Sequence, residues 1–164
     1  MKAFATTSPP QQSEPRTSLR VLIMTTGDPY HLQRFLDAQR GVYDQAEREL
    51  LEGRKESHWM WFIFPQLKGL GQSTTAQKYA IRTLDEAKAY LEHPVLGRRL
   101  RACTQIVTLL NDTTIEDIFG YPDHRKFHSS MTLFAHATGD NRVFMDALRK
   151  YFRSEFDPQT IDRL

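Results

Sequence analysis

From Asp28 onward the chain is punctuated by residues that start or stop helices, and between these marks apolar side chains recur at three- and four-residue spacing. That pattern leaves little choice of architecture, because a stripe of this period can be buried only when its helix packs against other elements, and no sheet pattern accompanies it. Asp28 and Pro29 supply an N-cap and a first-turn proline, and Leu32, Phe35, Leu36, Tyr43, Ala46 and Leu50 follow helical spacing up to Gly53, with Gly41 as a kink. Thr83 and Glu86 form a capping box for a short helix to Glu92. His93 caps and Pro94 starts the next helix, whose stripe of Leu96, Leu100, Cys103, Val107 and Leu110 is the longest in the chain. Thr114 caps a turn that ends at Gly120. Asp123 then opens a helix to about Thr138, closed by Gly139, and Asp140 caps a last one through Phe152. Residues 74–81 fit neither period, and no alternating strand pattern or internal repeat is found. The expected class is all-α, a compact multi-helical single domain over residues 28–164.

Residues 1–27 read differently. Their Ser, Thr, Pro and Gln surround one short apolar patch, Val21 to Met24, too small to order the segment, so a disordered N-terminal arm is expected. It has no signal-peptide core, and Pro9, Pro10 and Pro15 interrupt any targeting helix. Met24 directly precedes the folded part and is an alternative start.

The longest apolar run, Trp59 to Phe64, is far too short to cross a membrane. Lys2, Arg16 and Arg20 against Glu14 place the whole formal charge of +2 in the arm and leave the fold neutral. A neutral fold argues against nucleic-acid binding, and Arg98, Arg99 and Arg101 read as a solvated helix face, although a patch around Arg54, Lys55 and Arg98 would be the place to look. The single cysteine, Cys103, excludes an internal disulfide and sits on a buried stripe as an inert thiol, so a reducing cytoplasm is expected.

Two stretches carry polar groups inside apolar surroundings. In the first, His58 enters and Gln66 leaves the otherwise apolar segment Trp59-Met60-Trp61-Phe62-Ile63-Phe64-Pro65. Its structural reading is a core element, and its functional reading is a ligand wall made by Trp59 or Trp61. The second stretch is Asp123-His124-Arg125-Lys126-Phe127-His128-Ser129-Ser130-Met131, where Phe127 and Met131 face the core and Asp123, Lys126 and Ser130 line its border. Lys126 reads either as a snorkelling side chain paired with Asp123 or as an anion or carbonyl anchor, with Ser130 as hydrogen-bond donor. His124 and His128 have the spacing of a metal pair but lack a third ligand, and no metal is expected. The loop Gly69-Leu70-Gly71-Gln72-Ser73 has neither the lysine nor the spacing of a P-loop and reads as a turn.

Taken together, Leu32-Gln33-Arg34-Phe35, His58-Trp59-Met60-Trp61-Phe62-Ile63-Phe64-Pro65-Gln66-Leu67, Gly69-Leu70-Gly71, His93-Pro94-Val95-Leu96-Gly97 and Ser129-Ser130-Met131-Thr132-Leu133-Phe134 resemble the bacterial family known as domain of unknown function 1810. The resemblance spans roughly Asp28 to Thr160 and implies a compact, mainly helical domain without an assigned activity. A further likeness to small helical domains that process NAD or ADP-ribose is an analogy and not a residue-by-residue match.

The expected function is binding of a small anionic, nucleotide-like metabolite, with hydrolysis as an extension. His58 would act as acid or base, Lys126 as anion anchor, and Trp59, Trp61, Gln66, Ser129 and Ser130 as ligand contacts. No cofactor or oligomeric state is implied. The alternative is a non-catalytic protein-interaction domain.

Overall fold

Ten helices form wherever the chain supplies an apolar stripe and a terminus that satisfies its end groups, and the computed structural model describes them within residues 27–164. They are α1 (Gln33–Gln39), α2 (Tyr43–Leu51), α3 (Met60–Ile63), α4 (Thr74–Tyr79), α5 (Leu84–Glu92), α6 (Leu96–Leu109), α7 (Ile115–Phe119), α8 (Asp123–His136), α9 (Arg142–Phe152) and α10 (Pro158–Ile161). No strand occurs among the described residues, where the single β-bridge joins Leu67 to Ile81. The class is all-α. The arm and the alternative start at Met24 lie outside the described residues.

Several expected caps are in place. Thr83 Oγ1 accepts the Glu86 N–H, His93 Nδ1 accepts the Val95 and Leu96 N–H groups, and Thr114 with Asp117 closes a reciprocal capping box. Other boundaries differ. The single helix expected from Asp28 to Gly53 is two, because Arg40 is extended and Gly41 turns at φ +73°, a conformation that favours glycine. Asp28 does cap, accepting from Leu32 and Gln33, but across a preliminary turn through His31. The last long helix is preceded by Asn141 instead of Asp140, and the four-residue α10 follows it, fastened by Asp157, which accepts from Thr160. Residues 74–81 resolve into α4 and one bridging residue, a helix too short to show a period.

Two helices organise the core. α8 packs against α5, α7, α9 and α10, and α6 packs against α2, α3, α5 and α9. Residues 129–135 of α8 are all buried, so that helix is surrounded on every side at its middle. Aromatic rings fill the space beside it: Phe64 and Phe119 lie against Phe127 at 5.0 and 4.9 Å, and Trp59 against Phe64 at 6.3 Å. The half-buried N-terminal turns of α8 are thereby placed beside the loop that leaves α3.

Candidate functional site

A groove of about 610 Å³ opens where the first turns of α8 face the 66–71 loop and the start of α10. Gln66, Arg125, Lys126, His128, Ser129, Asp157 and Gln159 supply its polar lining. Gln66 is held there by the bridge, where its carbonyl accepts the Ile81 N–H at 2.8 Å. Three residues expected from the sequence, Gln66, Lys126 and Ser129, therefore meet on one surface.

The electrostatics of the rim rest on an unequal partnership. Asp123 receives Lys55 Nζ at 2.8 Å on one oxygen and Lys126 Nζ at 2.9 Å on the other, so two ammonium groups share one carboxylate. Burial raises the Asp123 pKa, but the two lysines outweigh it and hold the carboxyl below its ordinary range. Each lysine also lies over an indole, Lys55 over Trp59 at 5.4 Å and Lys126 over Trp61 at 5.1 Å. Arg125 is exposed above the Tyr121 ring at 5.1 Å, and among the described residues no carboxylate lies within 4.0 Å of its guanidinium. The rim thus carries an excess of positive charge within a neutral fold.

Other expected site residues stand elsewhere. Trp59 is completely buried, and its indole N–H donates to Glu49 Oε2 at 2.8 Å, so it is a core residue and cannot wall an open groove. Trp61 remains half-buried beneath Lys126. His58 is exposed and does not line the groove. Ser130 points into the core with no hydrogen-bond partner for its hydroxyl, whereas Ser129 Oγ donates to Asp157 Oδ2 and to the Arg125 carbonyl. His124 and His128 are engaged separately, with the Gly120 and Glu155 carbonyls, and His128 stacks on Phe152 at 4.0 Å. Among the described residues no group of three or more potential metal ligands assembles.

Two residues were not anticipated. Lys55, only 9% exposed, is the second cation on Asp123, and its distance in sequence from α8 hides that role. Glu49 is a buried acid that accepts from Ser57 Oγ, from the Glu56 and Ser57 N–H groups and from the Trp59 indole. Burial raises its pKa, but these donors together reverse the effect and lower it to about 2. A glutamate between Ala46 and Leu50 on a buried helical stripe was the available signal. Cys103 matches its expected burial, which pushes its thiol up to about 12 and leaves it unreactive.

The family model described as "Protein of unknown function (DUF1810)" matches residues 29–164. Among solved structures the chain is similar to the crystal structure of the conserved hypothetical protein Rv1873 from Mycobacterium tuberculosis, with a TM-score of 0.83 and 50% sequence identity, over 84% of this chain and 98% of that one. No curated protein matches the chain. None of the described helices is long and apolar enough to cross a membrane.

Proposed function

From the premise that this chain belongs to the DUF1810 family, whose matched residues include the whole groove, we propose that the groove binds a small anionic, nucleotide-like metabolite. The observation that carries the reading is the sharing of Asp123 by Lys55 and Lys126, beside an unpaired Arg125. A carboxylate or phosphoryl group entering the groove would complete the charge balance and accept charge-assisted hydrogen bonds from Lys126 and Arg125. Drawing Lys126 outward would uncover the Trp61 indole for a planar ring, and Tyr121, 75% exposed, offers a second aromatic face at the same rim.

The reading stops at binding. Hydrolysis would need an acid–base group at the ligand, and His58 lies outside the groove while His128 is tied to a backbone carbonyl. A cytoplasmic setting, where such metabolites and a free thiol coexist, belongs to the same reading. The protein-interaction alternative finds less support: among the described residues Leu51, Leu109, Tyr121, Phe156, Ile161 and Leu164 are the exposed large apolar ones, and no described helix presents more than one of them.

Thermal unfolding of the full chain with nucleotides, NAD, ADP-ribose and sugar phosphates tests the reading. A ligand at about a hundred times its Kd adds about 2.7 kcal/mol of stability, and this gain should disappear in Lys126→Gln and Arg125→Gln. A ligand-induced gain that both variants retain would remove the groove as its site, and the absence of any gain across the panel would remove the reading.

A further inference from the structure

A second cavity, about 480 Å³, shares Gly71 with the groove. Its walls follow from the β-bridge. Leu67 and Ile81 pair in parallel register and are both buried. Side chains alternate along extended backbone, so the next residues, Lys68 and Arg82, emerge together on the outward face of two segments about 4.8 Å apart. Both are exposed and both line the cavity.

Like charges at neighbouring positions repel, and these two have no counter-charge: among the described residues no carboxylate lies within 4.0 Å of either side chain, and none lines the cavity. The remaining polar lining is neutral, the amides of Gln72 and Gln77. A third cation stands close by, since a Cβ placed on Gly69 would lie 3.2 Å from Arg163 Nε. Gly69 itself turns at φ +96°, so that the loop offers bare backbone at the cavity edge.

We infer that Lys68 and Arg82 form a phosphate subsite separate from the groove, and that a ligand spanning Gly71 carries two phosphoryl groups, one at each location. The subsite stands on its own geometry, while the spanning ligand rests on the reading of the groove given above. Both cations are solvent-exposed, so replacing them leaves the core untouched.

The test is titration of the full, ¹⁵N-labelled chain with inorganic phosphate at low salt, followed at the backbone amides. Saturable shifts are expected at Lys68, Gly69 and Arg82, with the apparent Kd raised at least tenfold in the double variant Lys68→Gln/Arg82→Gln and unchanged in Lys126→Gln. Shifts at Lys126 and Ser129 should show the opposite dependence. Movement in the groove without movement at 68–82, or loop shifts that persist in the double variant, overturns the subsite and leaves the groove reading standing. The reverse pattern overturns the groove reading and leaves the subsite. For the spanning ligand, a nucleoside 3′,5′-bisphosphate should bind at least tenfold more tightly than the 5′-monophosphate, an advantage lost in the double variant; equal affinities overturn it.

Discussion

Glu49 makes the strongest single-residue claim in the molecule. Its carboxylate gathers donors from the successive residues Glu56 and Ser57 and from Trp59, and so fixes the chain at the entrance to the aromatic motif. Because the folded pKa, about 2, lies below the ordinary 4.5, the carboxylate stabilises the fold fully above about pH 4.5 and loses that contribution as pH falls toward 2. Asp123 is depressed by its two lysines and acts in the same direction. Urea unfolding between pH 5 and pH 2 should therefore show a falling stability, with a visibly smaller fall in Glu49→Gln. An identical slope in that variant would mean that the donors do not hold the ionised form. Glu49→Ala, which leaves several buried donors without an acceptor, should cost about 3 kcal/mol or more at neutral pH. Such an acid is hard to see from sequence, since glutamate on a helix is ordinarily solvated and its place on the stripe of Ala46 and Leu50 is the one local sign of burial.

At the scale of helices, the junction between α5 and α6 is the tightest. A Cβ on Gly97 would fall 1.9 Å from the Leu91 carbonyl oxygen, a distance that only backbone movement can relieve. The sequence motif around His93 and Pro94 announced a helix start, which the His93 ring supplies as a cap. It did not announce that the glycine serves close packing of two helix ends. Gly97→Ala should destabilise the protein by about 3 kcal/mol or more by urea denaturation. Gly139→Ala, with nothing within 4 Å of its Cβ, should stay within about 0.5 kcal/mol of the parent. Equal effects at both positions would show that the approach of Gly97 to the Leu91 carbonyl does not govern the junction.

For the molecule as a whole, the family match runs from residue 29 to residue 164. We expect a fragment of residues 27–164 to unfold in one cooperative step at the same midpoint as the full chain. A loss beyond about 1 kcal/mol would mean that residues 1–26 contribute to the fold's stability. The all-α class, the caps at Thr83, His93 and Thr114, and the inert burial of Cys103 were legible in the chain, because capping and periodicity are interactions between residues a few positions apart. Gln66, Lys126 and Ser129 were read from the sequence as contacts of one ligand, and all three line one groove. Tertiary packing alone brought Lys55 onto Asp123, buried Trp59 against Glu49, set Ser130 into the core and put Lys68 beside Arg82. Those outcomes depend on contacts between segments far apart in the chain, whose register is settled by how α8 and α6 share the core and not by any local preference.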